Sequence, residues 1–256
     1  MSTAPLKVWF DRGSRLLRLR LARPKANVLD AAMIGALTAA LREYHERTET
    51  AAVLLDAEGP HFSFGASVEE HLPAQCAAML AGFHALLQSM LDYPAPVLVA
   101  VRGQCLGGGL ELAAAGSLIF VAPDAKLGQP EIALGVIAPA ASCLLPARIG
   151  AGAADELLLS GRSADAAEAV RLGLAAAVAD DPEQAALAWF ERNLAAKSAA
   201  AIRFANAAAR GGLADHFRRR IAVVERLYLD GVMATRDALE GLTAFIEKRA
   251  ANWEHR

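Results

Sequence analysis

Two carboxylates and a glycine cluster are the residues of this chain best suited to chemistry. Gly107-Gly108-Gly109 runs straight into Leu110-Glu111, and Gly128-Gln129-Pro130-Glu131 follows, with the glutamates spaced 131 − 111 = 20 positions apart. Glycine has no Cβ, so a ligand can approach its backbone closely. A helix that starts in such a run points unpaired N–H groups at that ligand. The pattern therefore offers donors for a developing oxyanion and two groups that can take and give protons. Other chemistries lack their signatures. No Gly-x-Ser-x-Gly elbow is present, and no Gly-Lys-Ser/Thr follows the glycine run.

These residues need a scaffold, and the hydrophobic pattern outlines one. Residues 6–10 and 16–21 read as two strands around Asp11-Arg12-Gly13. Asp30 is placed to cap a helix over 31–45, with Met33, Leu37, Leu41 and Tyr44 on one face. Residues 52–55, 97–101 and 118–121 read as short apolar strands, with helices expected over 74–91 and 110–115. Strand, loop and helix alternate, which predicts parallel pairing through right-handed crossovers. No sequence repeat is visible. From about residue 139 the chain reads as helical, apart from a short strand over 175–178. Pro182, Gly211-Gly212 and Gly231 mark breaks, and amphipathic segments over 214–229 and 237–250 close the chain.

Composition excludes several classes. With 256 residues and 55% hydrophobic content the chain can bury one large core, with or without a helical appendage. A net charge of −2 gives no drive toward nucleic acid or anionic membrane, and the Arg218-Arg219-Arg220 run reads as a solvated helix face. Cys76, Cys105 and Cys143 show no metal spacing and read as reduced core residues. The opening stretch lacks the apolar core of a secretory leader, and no apolar run reaches the ~20 residues of a membrane span. The expectation is a cytoplasmic protein with no membrane or nucleic-acid partner and no metal site.

Five segments, in order, carry a resemblance. They are Arg23-Pro24-Lys25-Ala26-Asn27, Phe62-Ser63-Phe64-Gly65-Ala66-Ser67, residues 100–112 around the glycine run, Leu127-Gly128-Gln129-Pro130-Glu131, and residues 239–249. Together they resemble the enoyl-CoA hydratase/isomerase (crotonase) superfamily over nearly the whole chain. The resemblance implies an α/β fold, a crotonase-like spiral of ββα units over residues 1–195, with a helical C-terminal oligomerisation region over 196–256. It implies a trimer or dimer of trimers and an acyl-CoA substrate. No separate cofactor is then needed, because CoA is part of the substrate. The backbone N–H groups of Ala66 and Gly108 take the oxyanion-hole positions. Glu111 is assigned as the water-activating base and Glu131 as the proton donor, an order that the residues themselves leave open. Lys25 and Asn27 correspond to positions near the CoA adenosine, and Phe245 and Lys248 to positions near its adenine and 3′-phosphate. Phe64, Gly65, Ser67, Gly107 and Pro139 are expected against the substrate. His61 and His71 lie near the oxyanion loop, able to line the acyl pocket or to serve structure.

The chain departs from the common family pattern in three places. Pro139 replaces a glycine whose N–H can hold water, and proline has no N–H. Ser67 replaces a frequent acidic residue, and the CoA loop reads Ala26-Asn27-Val28-Leu29-Asp30. Residues 24–34 and 62–73 resemble a branch of the family that hydrates a cyclic conjugated dienoyl-CoA during anaerobic breakdown of benzoyl-CoA-type aromatics. The implied reaction converts cyclohexa-1,5-diene-1-carbonyl-CoA to 6-hydroxycyclohex-1-ene-1-carbonyl-CoA. The rivals are a general hydratase of straight-chain enoyl-CoA, an isomerase or thioesterase of the same fold, and a non-catalytic RNA-binding member.

Overall fold

Among the described residues, six strands form one long sheet and three short strands form a second. Residues 4–256 are described by a computed structural model; residues 1–3 of the stretch expected to carry no leader lie outside the described residues. The long sheet runs in the order β1 (Leu6–Asp11), β2 (Leu16–Leu21), β3 (Ala52–Ala57), β4 (Val97–Val101), β6 (Leu118–Val121) and β9 (Ala177–Val178). Only β1 and β2 are antiparallel in it. The second sheet joins β5 (Gln104–Leu106), β7 (Lys126–Gly128) and β8 (Ser163–Asp165).

Burial follows from this pairing. Every side chain of β4 is buried, and all but the last of β3, as a parallel sheet covered on both faces requires. The one charge in β2 that is fully buried, Arg18, pairs with Asp56 of β3 at 2.8 Å and with Glu183. Helix α1 (Ala31–Tyr44) starts where the Asp30 carboxylate accepts the Met33 N–H at 2.9 Å. It buries Met33, Leu37 and Leu41 against α2 (Cys76–Leu91), which turns Leu80, Phe83 and Leu87 inward.

Three successive stretches of chain repeat one unit: a long-sheet strand, a short inner segment, a helix. They are β3, Ser63, α2; then β4, β5, α3 (Gly108–Ala114); then β6, β7, α4 (Pro139–Ile149). Ser63 bridges Cys105 of β5, and Cys105 pairs with Leu127 of β7, all parallel. The inner segments therefore lie side by side, and the residues leaving their ends meet at one place. This is the expected ββα spiral. Strands β5, β7 and β8 escape the sequence pattern because three residues are too few to show a period of two.

Helices α5 (Ala151–Ser160), α6 (Ala166–Arg171), α7 (Pro182–Asn193), α8 (Ala199–Arg226) and α9 (Arg236–Ile246) complete the chain. Asp181 caps α7, with Pro182 in its first turn. Helix α8 corrects one expectation, since it runs unbroken through Gly211-Gly212. Two interior glycines cost about 1 kcal/mol each. Packing on α2 and α4, which carries Ala214, Phe217 and Val224 into the main core, outweighs that cost. The break at Gly231 holds: a π-helical turn over Leu227–Gly231 and a 3-10 turn over Val232–Ala234 precede α9. The last helix ends at Ile246 rather than near 250, and Lys248 has φ +55°. Among the described residues, no helix is long and apolar enough to cross a membrane.

Candidate active site

The ends of the three inner segments open onto one cavity of about 440 Å³ with a mainly apolar wall. The first segment is pinned by its own serine. Ser63 Oγ donates to the Asn27 carbonyl at 2.9 Å and accepts the Gly65 N–H at 3.0 Å. The Gly65 carbonyl in turn accepts from Leu29 at 2.9 Å. This leaves the Ala66 N–H with no acceptor among the described residues.

The second segment ends at Gly107, whose φ of +52° suits a residue without Cβ and turns β5 into α3. The Gly107 N–H is spent on the Gly128 carbonyl at 2.9 Å. Helix α3 begins at Gly108, two residues before the expected start, so the Gly108 N–H is a first-turn donor with no helical partner. A Cβ on Gly108 would stand 3.1 Å from the Ala66 nitrogen. Two free backbone donors thus adjoin each other on the cavity wall.

Glu111 lies in the first turn of α3 and is 4% exposed. Its Oε1 accepts the Ala141 N–H at 2.7 Å. Ala141 belongs to the first turn of α4, which Pro139 opens at a position where no N–H is needed. The proline ring lines the cavity, and the N–H groups behind it hold the carboxylate. Glu131 leaves β7 on a 3-10 turn, Pro130–Leu134, and faces the same cavity. A Cβ on Gly107 would sit 2.6 Å from Glu131 Oε1, so the glycine run also makes room for the second acid.

Both carboxyls are hard to ionise. Burial pushes Glu111 up to about 7, opposed by the N–H groups of Ala141 and Ala140. Burial, and then the charge of Glu111, push Glu131 up to about 8. The two titrate as a pair. Near neutral pH such a pair holds about one proton, which leaves one base and one acid facing the same space.

The sequence reading missed the role of Gln129. It is 1% exposed, and its side-chain amide, with NH2 turned to Glu131, donates to both carboxylate oxygens at 3.0 and 3.1 Å. Its place two residues before Glu131, in a quoted motif, was the available signal. Phe64, Gly65, Gly107, Pro139 and Phe245 line the cavity. Asn27 does not fit its expected place. It is fully buried, donates to the carbonyls of Glu58 and His61 at 3.0 Å each, and accepts the Arg23 N–H. Its amide is consumed in tying two loops together and cannot reach an adenosine. Ser67 is a second correction: it does not line the cavity, and its hydroxyl donates to Glu69 at 3.0 Å. Lys25 and Lys248 are exposed, outside the cavity. His61 meets the ring of Phe64 at 5.0 Å, and His71 lines the cavity.

Known proteins share this arrangement of chain. The profile of the enoyl-CoA hydratase/isomerase family matches residues 11–256. A protein of Thauera aromatica named cyclohexa-1,5-dienecarbonyl-CoA hydratase is 61% identical over 255 residues, covering 100% of this chain and 99% of that protein. A probable enoyl-CoA hydratase of Mycobacterium bovis is 35% identical, over 96% of this chain and 97% of its own. Among solved structures, an enoyl-CoA hydratase from Mycobacterium avium matches with a TM-score of 0.87 over 98% of this chain and 100% of its own; at 24% identity this is a likeness of fold. The chain belongs to the enoyl-CoA hydratase/isomerase family.

Proposed function

We propose that this chain adds water to a cyclic conjugated dienoyl-CoA, converting cyclohexa-1,5-diene-1-carbonyl-CoA to 6-hydroxycyclohex-1-ene-1-carbonyl-CoA. The observation that carries the reading is one buried carboxyl pair, holding one proton, opposite two adjacent free N–H groups in an apolar cavity. The name of the 61% identical Thauera aromatica protein points to the ring substrate.

The geometry supports these steps. The thioester oxygen rests on the Ala66 and Gly108 N–H groups. Glu111, whose carboxylate is anchored by the Ala141 N–H, takes a proton from water. The water oxygen bonds to ring carbon C2, and the C1=C2 electrons move toward the thioester oxygen. Because C5=C6 is conjugated, the result is an extended dienolate. Glu131, which burial and the charge of Glu111 keep protonated, delivers its proton to C5. The double bond ends between C1 and C6, which is the 6-hydroxy-1-ene after renumbering. Each oxyanion donor contributes about 2.7–4 kcal/mol of transition-state stabilisation.

The reaction needs no separate cofactor and no metal, since CoA travels on the substrate. In this reading Lys25, Lys248 and Phe245 receive the CoA moiety, which their exposure allows. Residues 196–256 mediate assembly into a trimer or dimer of trimers, with Leu239, Phe245 and Ile246 of α9 exposed and apolar. The protein acts in the cytoplasm. Turnover in 18O-water tests the chemistry: one 18O must appear in the ring hydroxyl, with the thioester intact. Thioester cleavage, or product with no added mass, rejects hydration.

A further inference from the structure

One polar group in the cavity wall takes no part in these steps. Apart from Glu111 and Glu131, His71 is the only cavity-lining side chain, among the described residues, that carries nitrogen or oxygen. It ends a single 3-10 turn, Glu69–His71, just after the oxyanion loop. Its Nδ1 lies 2.7 Å from the Ser67 carbonyl oxygen. A carbonyl can only accept, so Nδ1 carries the proton and Nε2 is left with a bare lone pair. That Nε2 meets no donor among the described residues. The Tyr228 ring backs the imidazole, centroid to centroid at 6.4 Å. Burial holds His71 below the usual histidine value, so the ring is neutral at neutral pH. The Ser67 backbone carbonyl thus fixes the tautomer of a residue that lines the cavity.

The substrate and product of the proposed reaction differ in what they ask of this lone pair. The cyclic diene has no donor on its ring. The hydrated ring has one, the new O–H, and an O–H buried in an apolar wall without an acceptor is unfavourable. Glu111 has just become protonated at that moment, with its Oε1 held by Ala141, and Glu131, which gave its proton to C5 across the ring from the hydroxyl-bearing C2, accepts from Gln129 through both oxygens. We infer that His71 Nε2 accepts a hydrogen bond from the hydroxyl installed on the ring, so that His71 selects acyl thioesters bearing a ring hydroxyl over those without one. This inference rests on the hydration reading above.

The test compares two CoA thioesters, 6-hydroxycyclohex-1-ene-1-carbonyl-CoA and cyclohex-1-ene-1-carbonyl-CoA, which lacks the hydroxyl. Affinities are measured by calorimetry on full-length protein carrying Glu131→Gln to stop turnover, with His71 intact, as His71→Leu, and as His71→Gln. Glutamine can set an amide oxygen near the place of Nε2. The expected result is a fall of about three- to tenfold in affinity for the hydroxylated ligand with His71→Leu, the worth of one neutral hydrogen bond. The ligand without a hydroxyl changes by less than about twofold, and His71→Gln recovers most of the loss. Equal weakening of both ligands marks a packing residue and overturns the inference, as does no change in either. If His71→Leu does not fold, the intact and His71→Gln proteins still decide: failure of both to prefer the hydroxylated ligand overturns it. Wild-type protein that gains no water on the diene sinks the proposed reaction separately, because the affinities do not depend on turnover.

Discussion

Replacing Glu131 by glutamine should make stability less sensitive to pH, and the structure sets the size of the effect. In the folded protein, burial and the charge of Glu111 raise this carboxyl from 4.5 to about 8, a difference of 8 − 4.5 = 3.5. A carboxyl whose folded value lies above its unfolded value binds its proton more tightly when folded. Its favourable contribution is complete below about pH 4.5 and is lost as pH rises through the folded value near 8. At 1.36 kcal/mol per pH unit the ceiling is about 5 kcal/mol. Water entering the open cavity and proton sharing with Glu111 reduce this. The expected change between about pH 5.5 and 8.5 is roughly 1–3 kcal/mol. Glutamine has no proton to lose, so Glu131→Gln should gain on wild type by that amount as pH rises. Urea unfolding of both proteins across this range, at fixed ionic strength, measures the gap. A gap that stays constant or narrows with pH would refute the reasoning. Glu131 would then ionise freely in the folded protein, and it could not serve as the acid.

Other outcomes follow from the same geometry. The kcat/KM of hydration should trace a narrow bell, falling below about pH 7 as both carboxyls become protonated and above about 8 as both ionise; a flat profile from pH ~5 to ~10 contradicts the paired titration. Gly107→Ala places a methyl group 2.6 Å from Glu131 Oε1 at a φ of +52°. It should lower kcat by about 100-fold or more, since displacements near 1 Å cost that much; near-normal kcat in steady-state assays removes the tight approach. Arg148→Met strips donors from the carbonyls of Ala114, Gly116 and Ser117 at the end of α3. Arg210 still reaches Gly116, so the loss should be about 2–4 kcal/mol in denaturant unfolding. A loss under ~0.5 kcal/mol, as for surface sites, shows the carbonyls to be satisfied by water.

The parts of the site legible in the sequence are those with unusual residue types at fixed places. Gly107 stands out because a positive φ and the closeness of Glu131 leave no room for a Cβ, Gly108 because a Cβ would crowd the Ala66 nitrogen, and Glu111 and Glu131 because two carboxylates beside such donors can move protons. The long sheet was legible through apolar runs such as Val97–Val101. The inner sheet was not, although it aligns Ser63, Cys105 and Leu127 and so brings the site together. Its strands are set by tertiary pairing rather than by local pattern. Asn27 misled because a polar loop residue near a ligand motif reads as a contact; the folded chain instead uses it to satisfy buried carbonyls. His71 stayed ambiguous because its tautomer depends on the Ser67 carbonyl, which spacing does not reveal. The run through Gly211-Gly212 shows packing prevailing over helix propensity.

The most direct measurement follows absorbance and product mass for the purified protein with cyclohexa-1,5-diene-1-carbonyl-CoA, beside crotonyl-CoA. Rapid gain of one water on the cyclic diene, with little on crotonyl-CoA, is the predicted result. Efficient hydration of crotonyl-CoA with no water gained by the diene would contradict the ring specificity and make the chain a straight-chain hydratase.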